Sequence, residues 1–95
     1  MDDVVHQRVR LGILALLAEA KRADFGYLRD ALDLSDGNLS RHIQMLEEAG
    51  LVKVEKGYEG RRPRRWVAAT RRGRAALAAE VNSSRELISR VDGAA

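Results

Sequence analysis

The stretch LSDGNLSRHIQMLEEAGLVKVEK, from Leu34 to Lys56, contains a helix with both of its ends marked. Ser35 is a favourable N-cap, because its hydroxyl can accept a hydrogen bond from a free amide of the first turn. Gly50 stands where a helix ends in a left-handed residue, a conformation that glycine adopts without strain. Apolar residues recur between them at helical spacing, at Leu39, Ile43 and Leu46. The pattern predicts a helix over residues 36–49 with one buried face.

The segments on either side of this helix predict a short helix before it and a β-hairpin after it. Residues 27–34 carry apolar side chains three and four apart, so residues 27–49 together indicate a helix-turn-helix. Residues 51–56 alternate between apolar and polar, which is typical of a half-buried strand. Two glycines and a proline in residues 57–63 indicate a loop, and residues 64–69 indicate a return strand, with Trp66 expected in the core as its anchor.

A helix is predicted at each end of the chain, and residues 1–95 are expected to form a single domain. Residues 1–20 form the N-terminal helix, whose apolar stripe around Val9 and Ile13 is wider than one covered face requires. Residues 70–92 form the C-terminal helix, which Thr70 caps. A helix-turn-helix followed by a hairpin over residues 51–69 predicts a mainly α fold with a small β-hairpin, the winged helix-turn-helix.

The composition excludes several classes of protein. With no cysteine, the chain has no disulfide scaffold, thiol nucleophile or cysteine-based zinc site. The longest apolar run, residues 13–18, is too short to span a bilayer, and the N-terminus is acidic where a signal peptide is basic. No paired carboxylates, nucleophile–base set or phosphate loop is visible, which argues against an enzyme. We therefore expect a cytoplasmic protein that is not an enzyme and needs no cofactor or metal.

Positive charge is concentrated in the second half of the chain, although the net charge is only +3. Residues 1–50 hold six Lys and Arg against nine Asp and Glu, whereas residues 51–95 hold eleven against five. Seven of those eleven are arginines between Arg61 and Arg74. This asymmetry favours a polyanionic partner reached by one region of the surface. A solvated basic face that binds nothing is the alternative.

The second helix of the predicted helix-turn-helix has DNA-reading side chains at its start. Such a helix enters the major groove and its N-terminal residues reach base edges. Asn and Gln can pair with adenine, Arg with guanine or phosphate, and Ser with either base or phosphate, while Gly37 permits close backbone approach. The candidate DNA-binding residues are Ser35, Asp36, Gly37, Asn38, Ser40, Arg41 and Gln44. The alternative is an amphipathic helix that contacts only water. DNA binding is favoured because the acidic residues Glu47 and Glu48 lie at the far end of the helix, away from phosphates.

The run from Asn38 to Val52, the wing GRRPRRW and the sequence TRRGR at residues 70–74 resemble winged helix-turn-helix transcriptional regulators of the MarR/ArsR kind. The resemblance extends from about residue 9 to residue 77 and is closest to short members without a separate ligand-binding domain. It implies a homodimer on pseudo-palindromic double-stranded DNA, with the helices at both termini forming the dimer interface. The wing residues implied as DNA-binding are Arg61, Arg62 and Arg64. The residues expected at the dimer interface are Val5, Val9, Ile13, Leu77, Val81 and Ile88.

The sequence therefore predicts a sequence-specific DNA-binding transcriptional regulator that acts as a homodimeric repressor. A winged-helix module that contacts protein or RNA is the alternative. Whether His42 and Arg65 touch DNA stays open, and His42 is expected to be a partly buried, hydrogen-bonded histidine. The operator sequence also stays open. So does a small-molecule effector of unknown identity, because a dimer interface and a ligand cleft use the same aliphatic residues.

Overall fold

A computed structural model describes the backbone of residues 3–94 and the side chains of residues 6–89. Helices and strands follow in the order α1 (Asp3–Ala18), β1 (Ala23–Asp24), α2 (Phe25–Ala31), α3 (Asp36–Glu48), β2 (Val52–Glu59), β3 (Arg62–Ala69) and α4 (Arg71–Ala94). The strands form one antiparallel sheet in the order β1-β3-β2. This arrangement is a winged helix fold, as the sequence predicts. Within residues 3–94, every helix is too short or too polar to cross a membrane.

Helix α3 begins and ends where its sequence indicates. The Ser35 hydroxyl accepts a hydrogen bond from the Asn38 amide at 3.1 Å. Gly50 adopts a φ of +77°, and the Leu51 amide donates to the Leu46 carbonyl at 2.9 Å. These contacts form a Schellman motif, which satisfies carbonyls at the end of the helix. Both predicted ends of α3 are confirmed.

Helix α2 lies earlier in the chain than predicted. Asp24 is its N-cap, and the Asp24 carboxylate accepts from the Tyr27 amide at 3.3 Å. At the other end, Asp33 has a φ of +54° and the Leu34 amide donates to the Arg29 carbonyl at 2.9 Å. The predicted range of 27–34 is wrong because it ignores Asp24 as a cap and Asp33 as the residue that stops the helix.

The hairpin is longer and its turn tighter than predicted. Strand β2 extends to Glu59 and β3 begins at Arg62, so the loop has only two residues instead of the predicted 57–63. Gly60 has a φ of +63° and Arg61 does not have a positive φ, which is the pattern of a type II′ turn. Gly57 remains in the strand because the Trp66 ring packs over it, 3.4 Å from the position of a Cβ atom.

The core lies on the face of β3 opposite to the predicted one. Val67 is fully buried and Ala69 is buried, whereas Trp66 is half-buried on the other face, with the Arg22 guanidinium 4.1 Å from the centre of its ring. The expectation that Trp66 anchors the strand in the core is wrong, because strand alternation separates two faces without saying which one is covered. The main core residues are Ile13, Leu14, Leu17, Leu28, Leu39, Ile43, Leu46, Val52 and Val67.

The predicted dimer-interface residues fall into different environments. Ile13 is fully buried within the protomer, so it cannot contact a second subunit and is withdrawn from the predicted interface. Val9 and Leu77 are partly buried against the same core. The wide apolar stripe of α1 is therefore covered largely by its own chain. The predicted residues Val81 and Ile88 are exposed on α4. The side chain of Val5 lies outside the described residues.

Candidate nucleic-acid interface

The first half of α3 presents polar side chains while its apolar face is held in the core. Leu39 is fully buried, and Ile43 and Leu46 are buried with it. This fixes the rotation of the helix and turns the opposite side outward. All of the residues predicted to read DNA from this helix and its cap are exposed: Ser35, Asp36, Gly37, Asn38, Ser40, Arg41 and Gln44.

An arginine of α2 forms ion pairs at the start of α3. The Arg29 guanidinium donates to the carboxylates of Asp30 and Asp36, each at 2.9 Å. The hydrogen bond from Arg29 holds the pKa of Asp30 below its ordinary value. The same pairing places a positive charge beside Asp36, which would otherwise repel an approaching phosphate. Asp36 therefore links α2 to α3 through Arg29, and Ser35 caps α3.

The two faces of the hairpin carry different charge. Lys56 pairs with Arg65 in the register and Val54 pairs with the buried Val67, so these side chains share the face that looks towards the core and α3. Gly57 pairs with Arg64, which therefore lies on the outer face. Other residues of the outer face are Lys53, Glu55, Glu59, Arg62 and Trp66.

Arg64 is held by acidic side chains. Its guanidinium lies 3.6 Å from the Asp24 carboxylate and 3.9 Å from that of Glu59. At the turn, Arg61 and Arg62 are exposed and make no ion pair with the other described side chains. Of the predicted wing arginines, these two are available to a polyanion, whereas the charge of Arg64 is already matched.

Arg65 lies in a cleft between α3 and the hairpin. Its guanidinium stacks on the Phe25 ring, 3.8 Å from the ring centre. Ser40, Gln44 and Glu47 of α3 line the opposite wall, and Lys56 lies beside Arg65. Sequence reasoning left Arg65 open and missed Lys56 and Phe25. A two-residue turn at Gly60, had it been inferred, would have paired Lys56 with Arg65 and revealed their common face.

His42 is buried between α1 and α3. Only 8% of the residue is exposed, and its ring packs edge to face against that of His6, with 5.4 Å between the centres. Its Nδ1 has no hydrogen-bond partner among the described protein atoms. The expected burial is confirmed, but the expected hydrogen bonding is not found. His42 therefore faces the protein interior, away from the exposed side of α3.

The environment of His42 predicts a loss of stability in mild acid. Burial lowers its pKa below the ordinary 6.5, and the positive charges of His6, Arg10 and Arg41 lower it further. As the pH falls through 6.5, His42 becomes protonated in the unfolded chain but stays neutral in the folded chain. The free energy of unfolding therefore decreases until the pH reaches the lowered pKa of the folded chain. We expect a lower melting temperature at pH 5.5 than at pH 7.5, and a smaller difference in a His42→Leu variant. An equal difference in both proteins would remove His42 as its cause.

The chain is similar in sequence and fold to known winged helix proteins. The family of the winged helix DNA-binding domain matches residues 9–88. A transcriptional regulator homologue protein from Pyrococcus horikoshii OT3 has a solved structure that is 38% identical, with a TM-score of 0.82, over 90% of this chain and 84% of that one. An uncharacterized protein from Methanocaldococcus jannaschii is 41% identical over 73% of this chain and 75% of its own length. A PadR-like transcription factor from Bacteroides fragilis, 21% identical, shares the fold with a TM-score of 0.80 over 96% and 93% of the two chains.

Proposed function

The chain belongs to the winged helix DNA-binding domain family, and from this premise we propose that it regulates transcription by binding specific double-stranded DNA as a homodimer. The observation that supports this most is the exposed first half of α3 beside a hairpin with unpaired arginines at its turn. A helix with polar side chains at its start suits the major groove, and arginines suit phosphates or a narrow minor groove.

Different residues of the proposed interface would read bases and hold the backbone. Asn38 and Gln44 would pair with adenine, and Arg41 with guanine or phosphate. Ser40 and the turn residues Arg61 and Arg62 would contact the backbone. Ser35, Asp36 and Gly37 would shape the end of the helix that approaches DNA. We leave Arg64 out of this proposal because Asp24 and Glu59 already neutralise it.

Dimerisation is proposed through α4. From Ala78 to Ser89 every side chain of this helix is exposed, including Val81, Leu87 and Ile88 at 42%, 63% and 60%. Large apolar side chains on one extended helix are costly to leave in water, and a second copy of the same helix would cover them. We therefore propose that α4 forms most of the dimer interface. Helix α1 contributes less than predicted, because Ile13 is buried within its own protomer.

A charge placed on this part of α4 is expected to separate the subunits. In Leu87→Glu/Ile88→Glu, two carboxylates would have to be desolvated for the helices to pack. We expect the mass measured by light scattering at micromolar concentration to fall from that of a dimer to that of a monomer. Ser83→Glu adds a charge at an exposed polar position of the same helix and serves as the control. A monomeric wild-type protein would contradict the dimer proposal.

The proposed dimer acts as a repressor on a pseudo-palindromic operator, with half-sites about 10 bp or a multiple of that apart. The narrower MarR/ArsR type, cytoplasmic location and release by a small-molecule effector belong to the same proposal. Selection of bound duplexes from a random pool at a fixed salt concentration tests it. We expect enrichment of a two-fold symmetric site. Enrichment of no duplex, with binding to structured RNA or a protein instead, would favour the alternative interaction module.

A further inference from the structure

The cleft between α3 and the hairpin brings two cations to the same place. Lys56 and Arg65 are cross-strand partners on the face that looks towards α3. Among the lining side chains, Glu47 is acidic, and it belongs to the last turns of α3, away from the end proposed to enter the groove. Neither Lys56 nor Arg65 forms an ion pair with another described side chain. The inner face of the hairpin therefore carries positive charge that the protein itself leaves unmatched.

The outer face of the same hairpin differs in this respect. Lys53 lies 3.4 Å from the Glu55 carboxylate, and Arg64 pairs with Asp24 and Glu59. Lys53 is thus the outer counterpart of Lys56 on β2, and Arg64 is that of Arg65 on β3. Both outer cations have a carboxylate close by, whereas the inner ones do not form an ion pair with any described side chain. A polyanion approaching α3 gains more from the inner pair, because no internal ion pair must be broken first.

The Arg65 side chain is also ordered before any ligand binds. Its guanidinium stacks on the Phe25 ring at 3.8 Å, which restricts the side chain and leaves the guanidinium edge for hydrogen bonds. A side chain that is already ordered loses less conformational entropy when it binds. The exposed Ser40, on the other wall of the cleft, adds a hydroxyl group that can donate to an anionic oxygen.

We propose that this cleft is a binding site for one backbone phosphate of the DNA strand that borders α3, held by Arg65 and Lys56 with Ser40 opposite. The inference rests on the proposed function and adds a contact at the base of the hairpin to those at its turn. It assigns different roles to two neighbouring arginines on opposite faces: Arg65 binds DNA, while Arg64 holds the hairpin to β1 through Asp24. A phosphate fixed between helix and hairpin would set how deeply α3 enters the groove.

The salt dependence of duplex binding tests this assignment. Affinity is measured between 50 and 300 mM salt for the wild type and for Arg65→Gln, Lys56→Gln, Arg64→Gln and Lys53→Gln. Each neutralised phosphate contact contributes about 0.9 to the slope of log affinity against log salt. Because both side chains hold the same phosphate, we expect the double variant Arg65→Gln/Lys56→Gln to reduce the slope by about 0.9 and each single variant to reduce it by part of that amount. The matched outer-face variants Arg64→Gln and Lys53→Gln remove the same charges and are expected to leave the slope unchanged.

The outcomes separate this inference from the function on which it rests. If the wild type binds duplex DNA and inner and outer variants change the slope equally, or not at all, the phosphate site is overturned while DNA binding stands. If the wild type binds no duplex, both proposals fall. Melting curves accompany each variant, because Arg65 also packs on Phe25. Lys56 is exposed, so Lys56→Gln gives the decisive slope even if Arg65→Gln unfolds.

Discussion

A Gly73→Ala variant is expected to lose about 3 kcal/mol of folding stability, which in a domain of this size lowers the melting temperature by more than about 10 °C. Gly73 is buried in the first turn of α4. A Cβ atom there would overlap the Leu51 carbonyl oxygen and lie 3.0 Å from the Leu51 carbonyl carbon. The obstruction is backbone, which cannot rotate aside as a flexible side chain can.

The surrounding hydrogen bonds explain why the clash cannot be relieved cheaply. The Leu51 carbonyl accepts from the Thr70 amide at 3.0 Å. The Thr70 hydroxyl donates to the Gly50 carbonyl at 2.7 Å and accepts from the Gly73 amide at 3.0 Å. The end of α3, the start of β2 and the cap of α4 therefore meet at one junction. Moving α4 away would break these bonds and change the angle between α3 and the hairpin.

Thermal and urea unfolding followed by circular dichroism measures the effect, and Gly37→Ala is the matched control. Gly37 lies in the first turn of α3 with no heavy atom within 4 Å of an added Cβ. Because alanine favours helix over glycine by up to about 1 kcal/mol, the control is expected to fold at least as stably as the wild type. Equal melting temperatures for Gly73→Ala and the wild type would contradict the close approach of α4 to Leu51.

Local signals predicted α3 well because its ends are determined by neighbouring residues. The Ser35 cap and the left-handed Gly50 act within one turn of the helix, so their effect can be inferred from spacing alone. The role of Gly73 could not be inferred in this way. TRRGR is visible in the sequence, but the Leu51 carbonyl that requires a glycine is 22 positions away along the chain. Only the packed structure brings the two together.

The candidate site was predicted in part for a similar reason. The exposed side of α3 follows from its own periodicity. On the hairpin, alternation correctly separated Arg64 from Arg65, but which face meets α3 depends on the register with β2 and on Val67 being the buried residue. Tryptophan is the more obvious core residue by size, so the prediction from the sequence places the Trp66 face of β3 in the core instead of the Val67 face. The sequence therefore identifies the arginines as a group but does not assign them individually.

Asn38→Ala is expected to weaken binding to the preferred DNA by about 1–3 kcal/mol per half-site, with little change on random DNA. Asn38 is exposed in the first turn of α3, and its contact with the Ser35 hydroxyl is made by the backbone amide. The N-cap therefore survives removal of the side chain, and the stability of the fold should hardly change. The loss would come from the side-chain amide, which can donate to and accept from one adenine at once.

Competition between the selected site and random duplex, at one salt concentration, measures the effect of Asn38→Ala. The ratio of the two affinities is expected to fall by about 5- to 150-fold per half-site, since every 1.4 kcal/mol is a factor of ten. Asn82→Ala makes the same chemical change at an exposed position of α4 and should leave the ratio intact. Equal weakening on both duplexes would show that Asn38 contacts only the backbone. Base preference would then rest on the other exposed α3 side chains that can bond to base edges, Ser40, Arg41 and Gln44.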